Sequence, residues 1–201
     1  LGDGNGPVVD PRVRLMLEKI SISSHHMLSF VNRFLENASA ERQLIVKLEP
    51  VCFSEAASRS VRQVQDAARR KRLVVRASLP GEGTLVQADP DALNQVLDNI
   101  LTNAVKFSPL GKQISVVVRP APGYVECHVQ DQGYGFTPDD KTRMFRRYQR
   151  LSARPTAGES SIGLGLSIVK KLVDAMCGDL LCESSAGGGA RFSIRLPRAV
   201  A

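Results

Sequence analysis

Within residues 99–107, Asn-Ile-Leu-Thr-Asn-Ala-Val-Lys-Phe, two carboxamides and a lysine stand among apolar side chains. Asn99, Asn103 and Lys106 recur at i, i+4 and i+7, which is one face of a helix. Carboxamides buried on such a face need polar partners, and a magnesium-phosphate group would supply them. Two other stretches offer related chemistry. Asp131 follows an apolar strand and precedes Gly133 and Gly135, so its carboxylate emerges at a strand end beside backbone with little side-chain bulk. Gly163-Leu-Gly165 stands just before an amphipathic helix, whose unpaired N–H groups can hold anionic oxygens.

These residues carry a family resemblance. The 99–107 stretch resembles the N box of the histidine-kinase catalytic domain, within the wider superfamily that includes type II DNA topoisomerases. Asp131-Gln-Gly133-Tyr-Gly135 is similar to its G1 box, Phe145-Arg-Arg-Tyr148 to its F box, and Gly163-Leu164-Gly165-Leu166 to its G2 box, in the family's order. The resemblance implies ATP and Mg2+ as cofactors. Asp131 would accept a hydrogen bond from the adenine amino group and so select adenine over guanine. Gly133 and Gly135 would let the backbone approach the nucleotide. Asn103 matches the magnesium ligand, Lys106 a phosphate contact, and Phe107 closes the stretch as a further nucleotide contact. Phe145 and Tyr148 would anchor the lid to the domain, although two aromatics three apart also suit plain core packing. Ser160 and Ser161 depart from the family, where glycines are frequent; Ser161 is included among the nucleotide contacts, its hydroxyl a hydrogen-bond donor or the source of a stiffer lid.

Asn99 occupies a position where topoisomerase-like relatives carry glutamate to activate water. An asparagine cannot act as a general base. The resemblance therefore implies poor hydrolysis and a γ-phosphate kept for another acceptor. The expected function is the ATP-binding catalytic region of a sensor histidine kinase, transferring phosphate to a histidine for relay to the receiver domain of a response regulator. Alternatives are a degenerate kinase acting as a nucleotide-binding or scaffold module, or an ATPase or serine kinase of the same fold. The phosphoacceptor is expected upstream of Leu1. His25 and His26 lack the acidic neighbour and downstream proline of the family's H box, and His128 falls within a strand.

Composition narrows the class. The chain has 201 residues, 43% hydrophobic, enough for one globular domain and an appendage. No apolar run approaches transmembrane length, so this piece is expected to be soluble and cytoplasmic, without membrane contact, whatever anchors a longer parent. Cys52, Cys127, Cys177 and Cys182 show no zinc spacing and read as reduced thiols. Net charge is +7, but there is no Trp and only 5% aromatic content, which argues against nucleic acid as a partner. Part of the excess lies in residues 136–162, where six Lys and Arg face three Asp and Glu.

The positioning elements follow from periodicity. Residues 1–10 read as a linker or cloning remnant. Over 11–45 an apolar stripe at Val13, Leu17, Ile20, Met27, Val31, Phe34 and Ala38, broken only by Ser24, keeps the alternating spacing of a coiled coil. It predicts a helix resembling the second helix of the dimerisation and phosphotransfer hairpin, and a homodimer through it. Residues 46–201 form the catalytic domain in this reading. The pattern predicts strands at 46–51, 73–78, 85–88, 113–119, 124–130, 179–184 and 190–196. Helices are predicted at 54–70 with Ser54 as N-cap, after Asp89 with Pro90 in the first turn, and at 163–176, with a loop at 136–162 holding a short helical piece. The fold class is α/β, a two-layer sandwich with a mixed sheet, and the resemblance implies the Bergerat fold.

Overall fold

The computed structural model describes residues 46–146, 148–149, 151–156, 163–184 and 188–199, all within one unit, Ile45–Ala201. The helix expected over 11–45, with its dimer seam, His25 and His26, lies outside the described residues, as do Ser160 and Ser161.

Strand β1 (Glu49–Cys52) runs directly into helix α1 (Phe53–Arg70). Strands β2 (Val74–Ser78) and β3 (Leu85–Ala88) then lead to helix α2 (Pro90–Phe107). Strands β4 (Gln113–Ala121) and β5 (Tyr124–Gln130) form a hairpin, followed by the short helix α3 (Pro138–Arg143). Helix α4 (Gly165–Ala175) and strands β6 (Asp179–Ser184) and β7 (Ala190–Pro197) complete the fold.

Five strands form one mixed sheet in the order β2-β4-β5-β7-β6, with β2 parallel to β4 and the other pairs antiparallel. One face is apolar by strict alternation: Ile114, Val116 and Val118 lie beside Val125, Cys127 and Val129, and beside Phe192, Ile194 and Leu196. Helices α1, α2 and α4 share one core with that face, to which α2 contributes Leu93, Leu97 and Leu101, each fully buried. Removing a leucine of this kind from water contributes about 1.5–3 kcal/mol. The opposite face is polar. There Glu126 pairs with both His128 Nε2 (2.9 Å) and Arg195 Nε (2.7 Å), while His128 Nδ1 meets Ser193 Oγ at 2.8 Å. His128 is thus a strand residue with both ring nitrogens partnered. The result is the expected two-layer α/β sandwich.

Two local expectations are corrected. The first strand begins at Glu49 rather than Val46, because its four-residue partner β3 sets its length, from Glu49 opposite Ala88 to Cys52 opposite Leu85. Ser54 is not the N-cap of α1. The helix starts at Phe53, whose N–H donates to Thr84 O at 2.9 Å, and Ser54 is carried inside the first turn. Its buried Oγ has no partner among the described residues.

Candidate functional site

Helix α2 is fixed at both ends. Asp89 caps it, Oδ1 accepting from Asp91 N (3.1 Å) and Ala92 N (3.0 Å), with Pro90 at the first helical position. Its Oδ2 accepts from Lys47 N at 2.9 Å. Burial opposes this carboxylate, yet the three backbone N–H bonds hold its pKa below the ordinary value. Along the helix, Val96, Ile100 and Ala104 face the core, which turns Asn99, Asn103 and Lys106 together onto the other side. All three are half-buried. The two carboxamides are therefore partly exposed rather than fully buried. Asn99 Nδ2 donates back to Gln95 O at 2.9 Å, which fixes the amide and directs its oxygen outward.

What that oxygen faces is the start of α4. A Cβ added to Gly165 would lie 3.1 Å from Asn99 Oδ1 and 3.7 Å from Asn103 Nδ2. Glycine thus lets the N-terminus of α4 close on the two carboxamides as a tight cradle rather than an open pocket. No side chain caps that N-terminus, and its first turn carries no acidic residue. Its leading N–H groups accordingly bring the partial positive charge of a helix start close to the two carboxamides. Leu164 is buried at the N-cap and Leu166 half-buried behind it. Gly163 serves a different purpose: its φ is +76°, and a Cβ there would meet Gln149 O at 2.4 Å. Only glycine fits that turn.

Asp131 is built at the end of β5 and is 7% exposed. Its Oδ1 accepts from Gly133 N (2.8 Å) and from Ala190 N (3.1 Å) on β7. Among the described residues Oδ2 accepts none, so one lone-pair set remains for a donor. Burial raises the carboxyl above its ordinary range, and the two N–H bonds partly offset that. Gly133 is required because its Cβ would press on Phe107 O at 2.8 Å, so this loop sits against the C-terminus of α2. Gly135 follows at φ +68°. Phe107 is half-buried there, with Lys106 Nζ 5.8 Å from its ring centroid. Beside Gly135 a cleft of about 650 Å³ opens between Leu110, Tyr134 and residues 152–156. It adjoins the Asp131 loop, not the asparagine cradle.

The 137–152 segment is held by Asp140. Thr137 and Asp140 form a reciprocal capping box, and Asp140 also accepts from Ser152 N at 2.9 Å and from Ser152 Oγ. Burial works against the charge, but donation to the carboxylate from Ser152 Oγ, Ser152 N, Thr137 N and Thr137 Oγ1 brings the Asp140 pKa down to about 2. Helix α3 ends at Arg143, so Phe145 and Tyr148 are not on one helical face. Phe145 packs on the core, whereas Tyr148 has φ +59° and is 60% exposed. The left-handed turn thus leaves the Tyr148 side chain largely exposed, unlike that of Phe145. Ser161 lies outside the described residues.

Sequence reading missed the supports. Thr137-Pro-Asp-Asp140 is a legible capping pattern with proline at the first helical position. Lys71 and Thr156, which meet at the end of α2, give no local signal because their partners lie far along the chain. Cys127 is fully buried, and burial with the nearby Glu126 pushes its thiol up to about 12, which disfavours the reactive thiolate. Among the described residues no group of three His, Cys, Asp or Glu could hold a metal, and no helix is long and apolar enough to cross a membrane.

Comparison with known proteins bears on the family and the fold. Residues 88–200 match the family described as histidine kinase-, DNA gyrase B-, and HSP90-like ATPase. The chain is 31% identical over 194 residues to histidine protein kinase DivJ of Caulobacter vibrioides, a match covering 96% of this chain and 32% of that protein. The chain thus spans about a third of that relative's length. Among solved structures, full-length ShkA in complex with AMPPNP superposes with a TM-score of 0.79 at 27% identity, covering 97% of this chain and 41% of that one. The mycobacterial sensor histidine kinase MprB gives a TM-score of 0.65 at 29% identity over 77% of this chain and 100% of that one.

Proposed function

We propose, for a chain that belongs to the family of histidine kinase-, DNA gyrase B- and HSP90-like ATPases, that its folded unit binds magnesium-ATP and directs the γ-phosphate to a histidine. The phosphate then passes to an aspartate of a response-regulator receiver domain. The observation that carries this reading is the meeting of Asn99 and Asn103 with the uncapped start of α4 at Gly165.

Each residue has a physical role. Asp131 accepts the adenine amino hydrogen through Oδ2 while Oδ1 stays fixed by Gly133 and Ala190. Guanine, with a carbonyl at that position, would leave the buried carboxylate facing an acceptor. Phe107 covers the base side of the cleft. The N–H groups opening α4 and the Lys106 ammonium hold phosphate oxygens, the lysine as a point charge rather than a bidentate fork. Asn103 offers an oxygen to Mg2+, a cation that keeps most of its ligands as water and phosphate and so needs no all-protein cage. Bound there, Mg2+ would neutralise charge on the transferred phosphoryl group. Asn99 orients the cradle without basicity, which favours transfer over hydrolysis.

That last point separates the reading from a same-fold ATPase. Dimerisation through residues 11–45 and an acceptor histidine upstream of Leu1 complete the proposal, as does work at the cytoplasmic side of a longer kinase. Titration calorimetry of the full chain with ATP and GTP, with and without Mg2+, tests it. Magnesium-dependent binding of ATP over GTP is expected. A folded chain that takes up neither nucleotide overturns the reading in favour of a scaffold module.

A further inference from the structure

The side chain of Lys71, at the end of α1, runs inward to the C-terminus of α2. The residue is 7% exposed. Its ammonium, with three donors, reaches Val105 O (2.7 Å), Lys106 O (3.0 Å) and Thr156 Oγ1 (2.5 Å). Thr156 is bound to the same helix end by its own groups. Its N–H donates to Lys106 O at 3.2 Å, and its hydroxyl lies 2.8 Å from Ser108 O and 3.1 Å from Lys106 O. One hydroxyl hydrogen serves those carbonyls while the oxygen accepts from Lys71.

The place of this knot matters more than its strength. Carbonyls ending a helix have no partner within it, and a lysine there complements both the open carbonyls and the helix dipole. Here the carbonyls belong to Val105 and Lys106, and the next one, Phe107 O, is where Gly133 packs. Thr156 lines the cleft with Tyr134 and Gly135. A single buried ammonium therefore joins the backbone of Val105 and Lys106 to Thr156 in the wall of the cleft.

The geometry points to Lys71 as a positioning residue for the nucleotide site: through Thr156 it sets the distance between the end of α2 and the 152–156 wall. This rests on the nucleotide reading proposed above. Lys71 touches no substrate and acts through the residues it holds.

Full-chain variants test it by two readouts. Thr156→Val keeps shape and removes the hydroxyl, Thr156→Ser restores the hydroxyl, and Lys71→Met removes the ammonium. Amide hydrogen exchange without nucleotide reads the tie directly. Thr156→Val and Lys71→Met should lose protection at 105–108 and 152–156, with Thr156→Ser close to wild type. ATP affinity should fall about three- to tenfold in Thr156→Val, the scale of one hydrogen bond, at a thermal midpoint near that of wild type. The Lys71→Met/Thr156→Val double variant should be no weaker than Lys71→Met alone, because both remove one unit. Unchanged protection at 152–156 in Lys71→Met, or equal ATP affinities for the valine and serine variants, overturns the proposal. A wild-type chain that binds no ATP counts against the nucleotide reading, and the exchange data then decide the tie on their own.

Discussion

Gly165 approaches Asn99 so closely that a Cβ on the glycine would lie 3.1 Å from the carboxamide oxygen. Helix α4 thereby starts against the asparagine face of α2, in a contact too close to admit a side chain. Gly165 is helical and does not need a positive φ. Alanine at this first helical residue would put its Cβ against the Asn99 carboxamide, which must then give by a few tenths of an ångström. Gly165→Ala should change the thermal midpoint little, because the half-buried amide can shift, while weakening ATP binding about tenfold or more, the scale of losing a charge-assisted hydrogen bond. Calorimetry beside thermal unfolding checks this, and undiminished ATP affinity would remove the cradle from the site. Gly163→Ala is the contrasting control: with φ +76° and Gln149 O at 2.4 Å, it should lower stability itself.

Asp131 should show a conflict between binding and stability. Its raised pKa, caused first by burial, means the folded chain holds that proton more tightly than the unfolded chain. Its contribution to stability is therefore greatest below the unfolded pKa and is lost as pH rises through the folded value. Asp131→Asn removes the buried charge and can keep both N–H bonds through its amide oxygen. The variant should melt at or above the wild-type temperature at pH 8, with the difference shrinking toward acid pH. Its ATP affinity should drop about 10- to 100-fold, since an NH2 would face the adenine amino group. A variant that melts lower at pH 8 yet binds ATP normally contradicts both halves.

Asp140 behaves in the opposite sense. Held at about 2 against an ordinary value of 3.8, it contributes stability that is complete above the unfolded pKa and lost as pH falls through about 2. Asp140→Asn breaks the capping box and one tie to Ser152, with an expected cost of about 1–2 kcal/mol at pH 7. Urea unfolding should show the two proteins converging as pH approaches 2. A gap of constant size would mean that the charge is not what the bonds hold.

Asn103→Ala should remove chiefly the magnesium-dependent part of ATP binding and leave the weaker metal-free binding nearly intact. Calorimetry with Mg2+ and with a chelator distinguishes the two. Equal losses under both conditions would assign Asn103 to the nucleotide rather than the cation.

Labelled ATP should yield neither rapid hydrolysis nor acid-labile phosphate on His25 or His26. Adding an upstream helix with its own histidine should restore transfer, because in-line displacement depends on positioning the acceptor. Stoichiometric phosphohistidine at His25 or His26, absent from the alanine variants, would falsify the upstream location of the acceptor. Replacing Leu17 and Val31 with glutamate should give monomers if the 11–45 stripe is the dimer seam.

The amino-acid sequence determined by itself what depends on neighbours within a few residues. The face of α2 carrying Asn99, Asn103 and Lys106 follows from helical spacing, Asp89 with Pro90 marks the helix start, and strict alternation in β4, β5 and β7 predicts which side chains are buried. These are consequences of fixed backbone geometry, so a pattern of residue types reports them. The motif order also disclosed the family. Tertiary structure alone decided the rest. Ser54 lost the cap position because Thr84 O captures Phe53 N, and Tyr148 turned outward where a left-handed residue follows α3. The carboxamides proved half-buried because α4, not the sheet, lies over them. The Lys71–Thr156 tie joins residues with no shared periodicity. Such contacts are selected by how apolar faces dock and by which buried polar groups then find partners, and no local pattern encodes either choice.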